Sequence, residues 1–314
     1  MKTLLVGYRA GDLFETAKHG RRKTAPWAAV EGVVCHTLDI YDRHAIEKVH
    51  HLKAICSPHL PVGPWDEIRF RTGPKLMGGE LALSLMQEIH ALLDGDMKPP
   101  RFVLDYVGKE RDKVSLLEKV SGKGMRERSF AAKWEASVPG GPKIELVSYP
   151  GCFCHRRVDE GGLALAEVVS REMGDGAAKF LDMGCGAGTV GFLVKSVHPG
   201  AELVMVDSHS RAIEAANENA ASLGFDCEAI LSDGGTPARM DGTFDVFAGN
   251  PPYYSDYRIA DLFLETAVRA LKPGGMCYTV CKNAAGLKPV QEKYFPSVEI
   301  IPRRGYSVLK SAKA

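Results

Sequence analysis

From about residue 160 onward, the apolar positions of the chain alternate between two spacings. Short apolar runs predict five strands, in the stretches AKFLDM, AELVMVD, CEAILSD, FDVFAG and MCYTVC. Apolar residues three and four apart predict helices before and between these strands, beginning with GGLALAEVVSREM. The tail SVEIIPRRGYSVLKSAK predicts two more strands around a Pro-Arg-Arg-Gly turn. Strands that alternate with helices predict a doubly wound, mostly parallel sheet with helices on both faces.

The first half of the chain carries a weaker copy of this pattern. LLVGYRAG at 4–11 is similar to LDMGCGAG at 181–188, and HTLDIYDRHAIEK at 36–48 is similar to MVDSHSRAIEA at 205–215. PWDEIRFRTGPK at 64–75 stands where TFDVFAGNPPYY stands in the second half, but without the Asn-Pro-Pro. We therefore predict an α/β protein with two Rossmann-like doubly wound domains, the N-terminal one a decayed copy of the other.

Length and charge also divide the chain into two parts. At 314 residues it is long for a single core, and the stretch SVPGGPK at 137–143 predicts a boundary between domains 1–138 and 139–314. Residues 1–144 carry 23 Lys and Arg against 18 Asp and Glu, whereas the remainder carries 17 against 21. The net charge of +1 for the whole chain is no sign of nucleic-acid binding. The excess of cations in the first domain is consistent with contact to RNA phosphates. The alternative is that this domain only supports the second domain structurally.

Cysteine usage and hydropathy indicate the compartment. The eight cysteines are scattered without a CxxC pair, which favours free thiols in a reducing cytoplasm. Cys152, Cys154 and His155 lack a fourth ligand at zinc-site spacing, so we predict no metal. No apolar run approaches the ~20 residues that span a bilayer. The start, MKTLLVGYRAGD, is more typical of a strand than of a secretory leader. We expect a cytoplasmic protein without a membrane partner.

Candidate binding residues follow each of the first four strands of the second half, at the sheet edge where ligands bind in such folds. The first strand ends near Asp182, and a glycine turn follows with residues Gly184, Gly186 and Gly188. Such a turn lets a ligand approach the backbone N–H donors of the next helix. The other three strand ends carry Asp207 with Ser208, Ser232 with Asp233, and the run Asn250-Pro251-Pro252-Tyr253-Tyr254. A carboxylate at Asp207 can accept both hydroxyls of a ribose, and Asp233 is placed to receive an adenine amino group.

Together these motifs resemble a class I S-adenosylmethionine (SAM)-dependent methyltransferase. LDMGCGAG is similar to the first motif of that class, and Asp207 to its ribose-binding acid. The resemblance implies a class I methyltransferase fold for the C-terminal domain and SAM as its cofactor. The implied cofactor-binding residues are Asp182, Gly184, Gly186, Gly188, Asp207, Ser208, Ser232, Asp233 and Asn250. NPPY is similar to the signature of enzymes that methylate a nitrogen conjugated to a π system: adenine N6, guanine N2 or glutamine N5.

The NPPY run implies catalytic roles for Asn250, Pro251, Pro252 and Tyr253. An exocyclic NH2 group is a poor nucleophile because its lone pair is delocalised into the ring. Asn250 Oδ1 and the Pro251 carbonyl would each accept one N–H and so direct the lone pair, while the prolines hold that carbonyl rigidly. Tyr253 would stack on the flat ring. Positioning carries much of the rate because the methyl donor is already activated.

Residues 149–167, YPGCFCHRRVDEGGLALAE, narrow the resemblance. They are similar to a segment of the ribosomal RNA guanine-N2 methyltransferases, the family of ribosomal RNA small subunit methyltransferase C. In that family the segment covers the cofactor and shapes the target pocket. The implied substrate-binding residues are Phe153, Arg156, Asp159, Tyr253 and Tyr254. The two tyrosines stand where that family more often has Phe-His, and Cys154 replaces the usual Ser.

The resulting prediction is an N-methyltransferase that acts on RNA, with guanine N2 of ribosomal RNA as the target and ribosomal RNA or a ribosomal subunit as the partner. Adenine-N6 methylation of nucleic acid and glutamine-N5 methylation of a protein use the same geometry and stay open. The non-enzymatic alternative is a SAM-binding RNA assembly factor with little catalysis. The sequence does not determine the oligomeric state, for which a monomer is the default expectation.

Overall fold

The computed structural model describes residues 1–16, 22–24, 31–94, 99–121, 128–174, 178–252 and 257–314. The chain divides into two compact units, Met1–Ala131 and Ala132–Ala314.

The first unit is built around a parallel sheet. Its elements in chain order are β1 (Thr3–Val6), β2 (Phe14–Thr16), β3 (Arg22–Thr24), β4 (Val33–Thr37), α1 (Ile40–His50), β5 (Lys53–Cys56), β6 (Glu67–Thr72), α2 (Gly79–Asp94), β7 (Arg101–Tyr106) and α3 (Glu110–Ser121). The sheet has the strand order β5-β4-β1-β6-β7, and all neighbours are parallel. Short strands β2 and β3 form a separate antiparallel pair.

The second unit has a sheet with the same strand order in its first five strands and two more strands at one edge. Its elements are β8 (Ala132–Ala136), β9 (Ile144–Ser148), α4 (Glu160–Glu172), β10 (Lys179–Met183), α5 (Thr189–Val197), β11 (Glu202–Asp207), α6 (Ser210–Leu223), β12 (Cys227–Leu231), β13 (Phe244–Gly249), α7 (Arg258–Ala270), β14 (Leu271–Cys281), α8 (Ala284–Gln291), β15 (Glu299–Arg303) and β16 (Tyr306–Ala312). The sheet order is β12-β11-β10-β13-β14-β16-β15. The first five strands are parallel, and β16 is antiparallel to both of its neighbours. The prediction of two doubly wound α/β domains is confirmed.

The core of the second unit lies on both faces of its sheet. Successive residues of a strand point to opposite faces. Phe180 of β10 therefore packs on the face that holds Leu165 of α4, whereas Leu181 packs with Leu264 of α7 and Leu287 of α8. All five side chains are fully buried. Because both faces are covered, the central strands β10, β11 and β13 consist mainly of apolar residues.

The division between the units differs from the predicted boundary. Strand β8 precedes the stretch 137–143, yet it pairs with β9 of the second unit, from Ala132↔Ser148 to Ala136↔Ile144. The Gly- and Pro-containing stretch is therefore the turn of a β-hairpin, and the division falls after Ala131. Gly and Pro favour a turn equally well inside a domain and between domains, so composition alone could not separate the two cases. In the described part of the chain, no helix is long and apolar enough to cross a membrane.

Candidate active site

A left-handed glycine turn joins β10 to α5. Gly184, Gly186 and Gly188 have φ angles of 71°, 54° and 87°, values at which a side chain would strain the backbone. At Gly188 a Cβ atom would also come within 2.2 Å of the Phe192 ring. At Gly186 a Cβ atom would meet no atom of the described residues within 4 Å. Among the described residues, this side of the turn is therefore open.

Asp182 lies inside the protein beneath this turn and is only 2% exposed. Its Oδ2 accepts a hydrogen bond from the N–H of Gly191, in α5, at 2.9 Å. Burial raises the pKa of Asp182 from 3.8 to about 7; the Gly191 bond lowers it, and the carboxylates of Asp207 and Asp159 raise it. The cofactor contact that the sequence predicted for Asp182 stays a prediction; in the structure its carboxyl group joins α5 to β10.

Asp207, at the end of β11, contacts the backbone of the glycine turn. Its Oδ2 accepts from the N–H of Gly186 and its Oδ1 from the N–H of His209, both at 2.9 Å. Ser208 is half-buried beside it. A carboxylate oxygen has more than one acceptor direction, so these bonds are compatible with accepting ligand hydroxyls as well.

Ser232 and Asp233 follow the next strand, β12, and both are half-buried. The N–H of Ser232 donates to the backbone carbonyl of Asp207 at 2.9 Å, and the Ser232 Oγ accepts from the N–H of Gly234 at 3.2 Å. The second and third strand ends are thus linked directly. The structure brings the predicted residues of three strand ends to one edge of the sheet.

Asn250 follows the fourth of these strands, β13. Its side-chain Nδ2 donates to Oδ2 of Asp159 at 2.9 Å. Asp159 is the N-cap of α4, where its Oδ1 accepts from the N–H of Gly161 at 3.0 Å. An ionised carboxylate only accepts hydrogen bonds, so the amide nitrogen of Asn250 must face Asp159 and its oxygen must face the other way. The substrate contact that sequence analysis gave Asp159 stays a prediction; in the structure this carboxylate orients Asn250.

The rest of the NPPY run is described only in part. Pro251 is buried and Pro252 is half-buried. Tyr253 and Tyr254, to which the sequence assigned stacking on the target ring, lie outside the described residues.

Residues 149–158 form a looped segment ahead of α4 that is anchored to α6. Arg211, buried to 2% exposure, donates from Nη1 to the carbonyl of Pro150 at 3.1 Å. The hydroxyl of Tyr149 bonds to the carboxylate of Glu218. Arg211 was not predicted as a functional residue, and its place in the first turn of α6 gave no signal beyond its charge.

The tip of this segment has an unusual backbone. Cys154 and Arg156 have positive φ angles of 54° and 68°, and Gly151 has 101°. Non-glycine residues in this conformation are uncommon, and they concentrate at binding and catalytic sites. Phe153 lies between Gly151 and Cys154 in the sequence and is 67% exposed. The exposed ring is accessible to a ligand, and the substrate contact assigned to Phe153 stays a prediction.

Asn219 of α6 is a second residue that the sequence analysis missed. It is 1% exposed, its Oδ1 accepts from the N–H of Val147, and its Nδ2 donates to the carbonyls of Val147 and Ala187. One amide therefore joins β9, the glycine turn and α6. The sequence did contain a signal for Asn219, which is a polar residue four positions after Ala215 and therefore on the buried side of the helix.

Arg303 and Arg304, a basic pair at the β15–β16 turn, are engaged within the protein. The Nε of Arg304 lies 2.7 Å from Oε1 of Glu167 in α4, and Arg303 pairs with Oε2 of the same carboxylate. Glu167 is buried to 7% exposure. This cluster therefore attaches the hairpin to α4.

The first unit has the same strand pairing around its first strand. In the second unit Met183 pairs with Val206 and Gly249; in the first unit Val6 pairs with His36 and Phe70. A left-handed glycine follows in each case, Gly184 at φ 71° and Gly7 at φ 75°. The two registers can therefore be compared residue by residue.

At three of the described positions, the residue of the first unit differs from the candidate functional residue of the second. Thr37 occupies the position of Asp207, Arg71 that of Asn250, and Leu5 that of Asp182.

Its own side chains interact where the second unit has the open turn. The hydroxyl of Tyr8 donates to Asp105 at 2.5 Å, and the guanidinium of Arg71 lies 5.9 Å from the Tyr8 ring centre and 3.2 Å from Asp12. Tyr8 itself stands at the position of Cys185.

The second unit thus combines a doubly wound sheet, an open glycine turn, a carboxylate at the second strand end and an oriented asparagine at the fourth. These features define the fold of a class I SAM-dependent methyltransferase. A family model described as "Methyltransferase small domain" matches residues 143–310, more than half of the chain. The protein belongs to this family.

Curated relatives and solved structures agree with this assignment. A ribosomal RNA small subunit methyltransferase C from Pseudomonas syringae pv. syringae is 29% identical over 189 residues, which cover 59% of this chain and 55% of that protein. Its counterpart from Pseudomonas aeruginosa (strain UCBPP-PA14) is 30% identical over 158 residues, covering 48% and 46%. The chain spans about half the length of the curated relatives it matches.

A solved structure extends the comparison to both units. It is the T. thermophilus 16S rRNA N2 G1207 methyltransferase in complex with AdoMet and guanosine. It matches with a TM-score of 0.74 at 18% identity, covering 100% of this chain and 88% of that one. The two-unit fold of this protein is therefore similar to that of the T. thermophilus enzyme.

Proposed function

We propose that the protein is a SAM-dependent N-methyltransferase that modifies an exocyclic amino group of a base in RNA, with guanine N2 of ribosomal RNA as its target. The observation that carries this proposal is the hydrogen bond from Asn250 Nδ2 to Asp159 Oδ2 at 2.9 Å. It determines which end of the Asn250 amide a substrate meets.

The orientation of Asn250 supports capture of an NH2 group. With its nitrogen directed to Asp159, the amide presents its carbonyl oxygen as an acceptor on the opposite side. The carbonyl of Pro251 is a second acceptor, and the ring of the following Pro252 restricts its movement. Two acceptors that each take one N–H leave the nitrogen lone pair pointing out of the base plane. Orientation of this kind contributes to rate by positioning rather than by proton transfer.

The strand-end residues fit SAM. The open side of Gly186, where a Cβ atom would meet none of the described residues within 4 Å, leaves space for a ligand. Asp207 lies against that place and would accept the ribose hydroxyls, and Asp233 would receive the adenine amino group. SAM supplies a methyl group on a positively charged sulfur, which is already activated for transfer. The protein's own task is to hold donor and acceptor in line.

The looped segment 149–158 and the names of the relatives both support guanine in ribosomal RNA as the target. Residues 149–158 carry the exposed Phe153 beside α6 and lead into the Asp159 cap. The curated relatives are named as ribosomal RNA methyltransferases, and the similar T. thermophilus structure is titled as a complex with guanosine. A base must leave its stack to reach Asn250, so the target nucleotide is unpaired or turned out of the strand.

The test is methyl transfer from labelled SAM to separated ribosomal subunits, free ribosomal RNA and cell protein, followed by mass spectrometry of the nucleosides. N2-methylguanosine is the expected product. N6-methyladenosine would keep the amino-group chemistry and change the base. Label in protein glutamine would move the activity to proteins, and SAM binding without any label would favour the non-catalytic RNA assembly factor.

The substitution Asn250→Ala tests the role that we assign to the oriented amide of Asn250. We expect methyl transfer to fall by roughly 100-fold or more because the oriented acceptor is lost, while SAM affinity measured by calorimetry stays nearly unchanged. Asn217→Ala, an exposed asparagine on α6, is the matched control and should retain full activity. Full turnover by Asn250→Ala would refute the assignment of Asn250.

A further inference from the structure

A lysine and a tyrosine that no motif singled out lie next to Asn250. Lys282 directly follows β14 and Tyr306 begins β16, on neighbouring strands where Cys281 pairs with Ser307. The Nζ atom of Lys282 lies 5.2 Å from the centre of the Tyr306 ring. A cation at this distance is attracted to the ring face. The contact restricts the position of the ammonium group, although the side chain that carries it is flexible.

The Tyr306 ring is within reach of the Asn250 amide. Gly161 lies between them: a Cβ atom there would be 3.1 Å from Cε1 of Tyr306 and 3.4 Å from Nδ2 of Asn250. Strand β14 is also the direct parallel neighbour of β13, with Gly249 opposite Thr279. Lys282 and Asn250 therefore lie at the same edge of the sheet, where the strands end.

Lys282 is exposed, and in the part of the chain that the structure describes it has no carboxylate partner. Other cations of the same sheet differ: Lys310 pairs with Glu172 at 2.7 Å, and Arg304 pairs with Glu167 at the same distance. Among the described residues, the contact of the Lys282 charge is with the face of the Tyr306 ring. A phosphate would therefore meet an ammonium group that is oriented and not already neutralised.

We propose that Lys282 contacts a backbone phosphate of the RNA strand next to the target nucleotide, and that Tyr306 positions the ammonium group for this contact. The inference rests on the proposed function, because it assumes that the base beside Asn250 belongs to RNA. A base turned out of a strand stays linked to two phosphates, so a cation beside the base pocket selects a nucleotide within a strand over a free base. An amide in a protein chain carries no such phosphate.

The test is equilibrium binding of fluorescein-labelled single-stranded RNA, followed by anisotropy at several salt concentrations. Lys282→Ala should bind RNA about 5-fold more weakly than the wild type. Its plot of log affinity against log salt should be shallower by about 0.7, the contribution of one phosphate contact in a single strand. SAM affinity and the rate at saturating RNA should not change. Lys282→Arg should restore both the affinity and the salt slope.

Two further variants separate this role from a general loss of charge. Lys272→Ala removes a lysine at the opposite end of the same strand, where it pairs with Asp245 at 2.6 Å, and should bind RNA like the wild type. Tyr306→Phe keeps the ring and should also bind normally, whereas Tyr306→Leu should show part of the Lys282→Ala defect. Unchanged affinity and salt slope in Lys282→Ala, with wild-type methylation of RNA intact, would overturn the phosphate contact alone. Failure of the wild type to bind or methylate any RNA would instead overturn the proposed function.

Discussion

The side-chain amide of Asn250 and the carboxylate of Asp159 are hydrogen-bonded at 2.9 Å, although 91 residues separate them in the sequence. Asp159 uses its other oxygen to cap α4 through the N–H of Gly161. One carboxylate therefore connects the start of a helix with the strand-end loop that carries the candidate acceptor. The orientation of Asn250 depends on a residue that belongs to neither the NPPY run nor the glycine turn.

The substitution Asp159→Asn should separate the two roles of this carboxylate, which are capping α4 and orienting Asn250. Asp159→Asn keeps an N-cap oxygen for Gly161, since Asn and Asp cap helices about equally well. It also puts a second NH2 group where the Asn250 nitrogen now donates, so the Asn250 amide turns or loses its partner. A hydrogen bond to a charged group contributes about 1.5–3 kcal/mol, so we expect the methylation rate to fall at least about 10-fold. Thermal stability and SAM affinity should stay close to wild type.

Asp159→Ala completes this experiment, because it removes the cap as well. It should lower the free energy of unfolding by about 1 kcal/mol in addition to lowering the rate. A wild-type rate for Asp159→Asn would show that Asn250 does not need this carboxylate for its orientation.

Asp207 offers a test of the cofactor site with a control inside the same chain. Asp207→Ala removes the acceptor for ligand hydroxyls and also releases the N–H of Gly186. We expect SAM affinity, measured by calorimetry, to fall at least about 10-fold, the effect of losing a charged hydrogen-bond acceptor. Thr37→Ala changes the corresponding position of the first unit and should leave SAM affinity unchanged. Equal effects of the two substitutions would remove Asp207 from the cofactor site.

The buried amide of Asn219 predicts a large effect on stability from a small substitution. Asn219→Ala leaves the N–H of Val147 and the carbonyls of Val147 and Ala187 without their partner. An unsatisfied buried polar group costs about 1–3 kcal/mol, so urea denaturation should show a loss of at least about 3 kcal/mol. Asn217→Ala, on the exposed side of the same helix, should stay within about 0.5 kcal/mol of the wild type. Similar small losses for both would mean that water replaces the Asn219 contacts.

The sequence predicted those features of the fold and the site that depend on short stretches of residues. Apolar runs predicted the strands, and residues such as Asp207 and Asn250 were placed correctly at strand ends because a parallel sheet brings those ends together. The Asn250–Asp159 bond could not be predicted, because it depends on how α4 packs against the sheet. Asn219 was visible as a polar residue on an apolar face, but its three partners come from other segments.

Helix α8 was also missed, for a different reason. Gly286 and Pro289 lie inside it, and both residue types disfavour a helix. The side chain of Asn283 caps the helix by accepting from the N–H of Ala285 at 3.1 Å, and Leu287 is fully buried. Capping and burial outweigh local propensity here, and burial is not visible in the sequence of so short a segment.

Asp182 should make stability depend on pH. Its pKa in the folded protein is raised from 3.8 to about 7, chiefly by burial. The folded state therefore holds an extra proton between these values, so this group's contribution to stability is greatest at low pH and is lost as pH rises toward 7. Asp182→Asn keeps an oxygen for the N–H of Gly191 but cannot ionise. The difference in unfolding free energy, wild type minus variant, should fall from about pH 4 to pH 7 and then level off, as measured by urea denaturation. A difference that is constant with pH would mean that Asp182 titrates normally.

The first unit should bind no SAM, so the full chain should bind one molecule. Leu5, Thr37 and Arg71 stand where the second unit has Asp182, Asp207 and Asn250. The replacements of Asp207 and Asn250 remove the groups that would accept the ribose hydroxyls and the target amino group, and the replacement of Asp182 removes the carboxyl group that joins α5 to β10. Two of them also add an apolar or cationic side chain, and a cation opposes the positive sulfur of SAM. Isothermal titration of the full chain should give a single site, and Asp207→Ala should weaken that site without exposing another. A second site that survives Asp207→Ala would show that the first unit has kept a SAM-binding function despite these replacements.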